Sequence, residues 1–264
     1  MKLTKISLKL DIKEGQDFTL QKVSLMHGIL MEWIRPAYAE KLHASTLNPY
    51  SQYLEKEQGE WYWRIQTFEE EACREICPAV LEKSQNGIYL RHSRQKIDII
   101  EEREETTDTK ELMERFYFQD SFRQIRIRFK TPTAFKSDGR YLFYPDVGCI
   151  VKSMINKYDA VTSRDGKLDY QILEELIKNI RILQYRLRSC SFHLEGVRIP
   201  AFTGEVRFGF GGSQTLVNYL HFLFHFAEYS GIGIKSAMGM GAIEIQERAG
   251  EKNECKNNSG DYKK

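Results

Sequence analysis

The chain lacks an excess of either charge. Its 264 residues carry 39 Lys and Arg against 37 Asp and Glu, a net charge of +2, so no global field marks it as a binder of nucleic acid or membrane. It also lacks paired cysteines. The five present (Cys73, Cys77, Cys149, Cys190, Cys255) are odd in number and contain no CxxC, which argues against a disulfide framework and fits reduced thiols in a cytoplasm. Cys73 and Cys77 can share a helix face, but no second pair completes a metal site. Long apolar runs are missing as well. Lysines interrupt each one in the opening MKLTKISLKLDIKEG, so neither a signal peptide nor a membrane span is expected there. The P-loop pattern is absent, and the dinucleotide fingerprint fails because Ser236 stands where its third glycine belongs.

What is present is a glycine loop. Residues 231–241 read GIGIKSAMGMG, four glycines and one lysine between a helix-like and a strand-like segment. Gly231, Gly233, Gly239 and Gly241 can take positive φ and turn N–H groups toward an anion, with Lys235 supplying charge. The loop follows the last helix-like segment and opens no long helix, which disfavours a nucleotide cofactor and favours a polyanionic chain. Charge is also segregated. Residues 101–114 hold seven acids and two bases, and residues 115–130 hold five bases and one acid, so a local basic face can form on a neutral protein.

Hydrophobic residues make up 41% of the chain, enough for one large core or two ordinary ones. Alternation predicts a strand over 2–12 and another over 61–68; apolar periodicity predicts a helix over 18–34, closed by Pro36. Residues 37–54 read as a helical turn running into a polar loop that carries His43 and Tyr50. An acidic helix over 69–83 and a strand pair or long strand over 87–101 complete the first half. In 123–130, Ile125, Ile127 and Phe129 share one strand face while Arg126, Arg128 and Lys130 share the other. Helices over 146–158 and 168–187, a strand pair over 189–210 with Gly196 and Gly204 as turn signals, a helix over 215–229 and a strand over 242–247 follow. The polar tail 248–264 reads as disordered. The order suits an α+β sandwich.

Several ordered blocks resemble the CRISPR-associated endoribonucleases that cut precursor repeat RNA into guide RNAs, the sixth of the Cas families and part of the repeat-associated RNA-binding superfamily. GIGIKSAMGMG resembles the terminal glycine loop of that superfamily, and FTGEVRFGF and the helix ending in FAEYS precede it in the family's order. TPTAFKSDGRYLFYPD resembles its threonine-proline segment, and LHASTLNPYSQYL resembles the stretch holding a catalytic histidine, here His43. The resemblance implies two tandem ferredoxin-like, RRM-like βαββαβ domains, over residues 1–114 and 115–247. It also implies a cut without metal or cofactor, by attack of a ribose 2′-hydroxyl on the adjacent phosphate to leave 2′,3′-cyclic phosphate and 5′-hydroxyl ends. Precursor repeat RNA is the implied partner, with CRISPR effector proteins and a second copy of the chain as further candidates and no membrane. A non-catalytic RNA-binding subunit of an effector complex is the rival reading.

That chemistry needs a base, an acid and a cation. His43 is the first candidate for acid or base; its alternative is a capping or surface histidine. His27 is the second, and its apolar neighbours allow a structural role instead. Tyr50 either orients the phosphate or fills the crevice. The family's lysine after the histidine has no counterpart over 44–53, which leaves Lys41 or Lys235 for the cation. Gly231, Gly233, Lys235, Ser236, Gly239 and Gly241 are candidate RNA contacts in the loop. Arg126, Arg128 and Lys130 are candidates for a phosphate track, or else an ordinary solvated strand face. His92 is a candidate RNA contact, and the aromatics of 61–68 either stack bases or form core. His221 and His225 lie four apart on one helix face without a third metal ligand, and read as a polar stripe with Asn218 and Glu228.

Overall fold

A computed structural model describes residues 1–13, 16, 18–91, 94–162 and 170–246. His92 and the tail 248–264 lie outside these described residues. The first half runs β1 (Lys2–Asp11), α1 (Val23–Trp33), α2 (Pro36–Ala44), β2 (Tyr50–Glu57), β3 (Glu60–Thr67), α3 (Glu70–Ser84), β4 (Ile88–Leu90) and β5 (Gln95–Asp108). Its antiparallel sheet has the order β2-β3-β1-β5-β4. Alternation does what it should: Ile6, Leu8 and Leu10 of β1 are buried, and α3 lays Ala72, Cys73, Ile76, Cys77 and Val80 against the same core. Cys73 and Cys77 therefore share a face, and that face is interior.

The second half begins with α4 (Thr109–Phe116) and continues through β6 (Gln124–Thr133), the short hairpin β7 (Phe135–Ser137) and β8 (Arg140–Leu142), α5 (Val147–Thr162), α6 (Tyr170–Asn179), β9 (Ile180–Leu194), β10 (Val197–Phe210), α7 (Gln214–Ser230) and β11 (Ile243–Ile245). Its sheet has the order β11-β6-β10-β9. With β4 and the β7–β8 hairpin set aside, each half is a ferredoxin-like βαββαβ unit whose fourth strand borders the first. Helix α7 is apolar nearly all round, and it is buried from Leu216 through Ala227 between that sheet and the first half, where Phe226 meets Phe68 edge-on at 5.7 Å.

Three expectations shift and a fourth narrows. Pro36 opens α2 at its first turn, a position where its missing N–H has no intrahelical acceptor to serve. The acidic run, whose charge suits a solvated linker or an edge between the halves, takes the edge form: its residues up to Asp108 are strand β5, paired with β1 and open to solvent past β4, and α4 makes the passage between halves. The helix expected over 168–187 ends at Asn179 and β9 starts at once. Leu183, Tyr185 and Leu187 also satisfy a period of two, and pairing with β10 decides between the readings. Gly204 marks a bulge instead of a turn: its φ is +128° and a Cβ there would lie 2.2 Å from the Arg186 carbonyl oxygen.

The bulge redirects the far end of the hairpin. Beyond it β9 and β10 outrun β6, close through a two-residue turn at Glu195 and Gly196, both with positive φ, and insert Phe192, Leu194, Ile199 and Ala201 into the core under α1 and α2. Residues of the second half thus finish the core of the first.

Candidate active site

The site forms where α1, the end of α2 and the start of β2 meet the glycine loop. His27 is half-buried on α1, His43 is exposed in the last turn of α2, and Tyr50 is fully buried as the first residue of β2. The His27 and His43 rings lie 6.2 Å apart between centroids, at 83°. The Tyr50 hydroxyl and His27 Nδ1 are 2.8 Å apart. Burial, and secondarily Tyr38, raises the Tyr50 pKa far above the usual phenol value, so its O–H is retained and the two groups share a neutral hydrogen bond. The hydroxyl thereby orients the His27 imidazole through Nδ1.

Burial also holds His27 below its ordinary value of 6.5, and the neighbouring His43 pushes the same way. Glu195, from the hairpin turn, and a hydrogen bond to the Ala237 backbone oppose the shift; Lys235 adds to it. Each of these three belongs to the second half. Two imidazoles, a carboxylate and an ammonium therefore feel one another at the junction, and His27 is neutral near pH 7.

Tyr50 does not reach outward. With its hydroxyl bonded to His27, it fills the crevice and orients the ring. Its neighbours tie the halves together: Ser51 Oγ donates to the Tyr229 carbonyl at 2.6 Å, and Gln52 Nε2 donates to the Ala237 carbonyl at 2.9 Å while its Oε1 accepts from Trp63 Nε1 at 2.6 Å. The sequence reading missed Gln52 and Glu195. A glutamine on an ordinary strand and an acid in a turn carry no local signal; only the tertiary meeting gives them a role.

The glycine loop departs from the expected anion cradle. Its glycine amides are all taken: Gly231 N–H donates to Ala227 O at 2.8 Å, Gly233 to Ser153 Oγ at 2.8 Å, Gly239 to Ser236 O at 3.3 Å and Gly241 to Pro132 O at 3.0 Å. These glycines let the chain pass close to itself. Gly241 has φ +73°, and a Cβ there would sit 2.1 Å from the Ile232 carbonyl oxygen. Lys235, in the left-handed region at φ 58°, is the loop's exposed cation, followed by a single 3-10 turn from Ser236 to Met238 that packs on α1 and β2. Ser236 is buried and faces inward.

On β6 the expected cations separate. Arg126 and Arg128 are exposed, Arg128 standing 4.0 Å from Glu244. Lys130 is paired with Glu55 of β2 and lies over the Tyr53 ring, 5.3 Å from its centroid. Burial draws its pKa down, but Tyr53 and Glu55 outweigh that and the net shift is upward. Lys130 thus bridges the sheets. Of the aromatic strand, Trp63 and Phe68 are core. His221 Nε2 donates to the Phe122 carbonyl, 2.6 Å away, and burial pushes its pKa down to about 4; His225 stacks on Phe116 and meets Glu228 at 3.4 Å. Both fasten the passage between halves to α7. Among the described residues no group of three His, Cys, Asp or Glu side chains is placed to hold a metal ion, and no helix is long and apolar enough to cross a membrane.

Two tandem ferredoxin-like units thus meet at a glycine loop, with two histidines beside it. Residues 127–243 match the family model described as "CRISPR-associated endoribonuclease Cas6". A CRISPR-associated endoribonuclease Cas6 of Mycobacterium tuberculosis (strain CDC 1551 / Oshkosh) is 35% identical over 222 residues, 84% of this chain and 70% of that protein. One from Streptococcus thermophilus is 31% identical over 224 residues, 84% of this chain and 90% of that protein. The chain belongs to the Cas6 family. A solved Cas6 product complex superimposes with a TM-score of 0.75 at 21% identity, covering 92% of this chain and 99% of that one, and Thermus thermophilus Cas6 with 0.70 at 20%, covering 92% and 98%; these establish the shared fold.

Proposed function

We propose that the chain is an endoribonuclease that cleaves CRISPR repeat RNA at the His27–His43 site without metal. The observation that carries this is the meeting of the two imidazoles, 6.2 Å apart, with Lys235 from the opposite half close enough to bear on His27. The 2′-hydroxyl loses its proton to a base as its oxygen bonds to phosphorus; the bond from phosphorus to the 5′-oxygen breaks as that oxygen gains a proton. The products are a 2′,3′-cyclic phosphate and a 5′-hydroxyl. His43, exposed at the end of α2, exchanges one of these protons. Neutral His27, aligned by Tyr50, assists it, and Lys235 offsets the negative phosphorane. Arg126 and Arg128 carry RNA phosphates away from the cut. The family resemblance and the endoribonuclease relatives support the same substrate.

The test is incubation with RNA of the repeat encoded beside the gene, in excess chelator. Cutting is expected; tight binding with no cutting would make the chain an RNA-binding subunit. Lys235→Ala is expected to weaken binding and to lower the slope of log affinity against log salt by about 1, the loss of one phosphate contact. Gel shifts over a salt series measure it, and an unaltered slope removes Lys235 from the phosphates.

A further inference from the structure

Lys157 on α5 is the one buried lysine among the described residues, with 4% of its surface exposed. Its ammonium has three oxygen acceptors: the carbonyls of Ser230 at 2.9 Å and Gly231 at 3.0 Å, at the end of α7, and Ser236 Oγ at 3.2 Å. A cation at a helix C-terminus complements the dipole and satisfies carbonyls that have no intrahelical donor. None of these partners is a carboxylate. Burying an ammonium without a counter-ion is costly, and a neutral donor would cap a helix at lower cost. The position of the third contact suggests what the cation does. Ser236 begins the 3-10 turn, and the next residue, Ala237, offers its carbonyl to Gln52 Nε2 and its backbone to His27.

Resting on the endoribonuclease reading, we propose that Lys157 is a positioning residue for RNA cleavage: its ammonium clamps the end of α7 to Ser236, and so sets Ala237 against His27 and Lys235 toward the RNA. The clamp is strongest while the amine is charged: a neutral amine keeps two N–H donors for the carbonyls and can only accept from the Ser236 hydroxyl, and it loses the attraction of its charge for the end of α7. Burial alone pushes Lys157 down to about 7, so the clamp weakens as pH rises through that value. Among the described residues of the packed elements, no other titratable side chain hydrogen-bonds to this ammonium. These groups include His221, His225, Glu228 and Tyr229 on α7, Glu174, Glu175 and Lys178 on α6, Arg181, Arg186 and Arg188 on β9, Lys235 in the loop, and Lys152, Tyr158 and Asp159 on α5 itself.

The experiment compares single-turnover cleavage at saturating repeat RNA by wild type and Lys157→Met from pH 6 to pH 9. The readout is the ratio of the wild-type rate to the variant rate at each pH. The expected ratio is about tenfold at pH 6, the order that follows from displacing a group at the reacting centre, and smaller at pH 9. A ratio of one at pH 6, or a deficit that does not change with pH, overturns the proposal. If Lys157→Met does not fold, Ser236→Ala decides it, since it removes the link to the loop and leaves the lysine its two carbonyls. A drop of about threefold or more is expected, and an unchanged rate overturns the proposal. Failure of wild type to cut at any pH would instead count against the endoribonuclease reading.

Discussion

His43→Ala lowers single-turnover cleavage of repeat RNA by about 10²- to 10⁴-fold, the range of one proton-transfer group, and leaves RNA affinity within about twofold. The exposed position of His43 in the last turn of α2 is why binding and folding survive. His27→Ala is expected to be nearly as severe for the rate, and it leaves the buried Tyr50 hydroxyl without its partner at 2.8 Å, so it costs about 1–3 kcal/mol of stability as well. Tyr50→Phe separates the two effects. It keeps the packing and removes the hydroxyl that orients the His27 ring, so the rate falls while His43 is intact. Quenched-flow rates at saturating RNA, set beside gel shifts and thermal midpoints, measure all three. Loss of binding equal to loss of cutting in His43→Ala would make that residue structural.

Gly241→Ala has the largest expected effect on the loop. The residue's φ of +73° disfavours any side chain, and the added carbon would lie 2.1 Å from the Ile232 carbonyl oxygen, a backbone atom that cannot swing aside. Strain alone costs about 1–3 kcal/mol. To escape it the loop must give up the hydrogen bond from Ile232 N–H to the Gly241 carbonyl at 2.8 Å and that from Gly241 N–H to Pro132. Lys235, Ala237 and Gly239, which lies against Val23 of α1, then move together, so RNA affinity and cleavage are both lost with stability. Gly28→Ala is the contrast. A Cβ there meets nothing within 4 Å, and removing a glycine from inside α1 raises stability by about 0.5–1 kcal/mol. Denaturation midpoints of the two variants test the pair, and a loop that tolerates Gly241→Ala would show that its shape is not needed.

Local patterns carried most of the fold. Alternation in β1, β3 and β6 and helical spacing in α3 and α7 are one-dimensional signals, and packing agreed with them. Residues 180–187 were harder, since their apolar positions fit two periods and only the partner strand β10 chose. The glycine loop was legible as a place of positive φ, but spacing cannot say where an N–H finds its acceptor. Pro132 and Ser153, which take two of those amides, lie far away in sequence. His43 and His27 could be named as candidates. Their meeting with Tyr50, and the arrival of Glu195 and Lys235 from the other half, required the fold. Lys130 looked like its neighbours Arg126 and Arg128 on the strand, and the acid that claims it, Glu55, belongs to the opposite sheet.

The proposed cleavage depends on a ribose hydroxyl as its nucleophile. Once the cut position is mapped, a repeat RNA with a single 2′-deoxyribose on the 5′ side of the scissile phosphate tests that directly. Unchanged binding is expected, with no cutting at that phosphate whether or not divalent metal is added, and 2′,3′-cyclic phosphate ends on the unmodified RNA. Cutting of the deoxy substrate at the same phosphate would contradict this mechanism, because water or another nucleophile would then be making the attack.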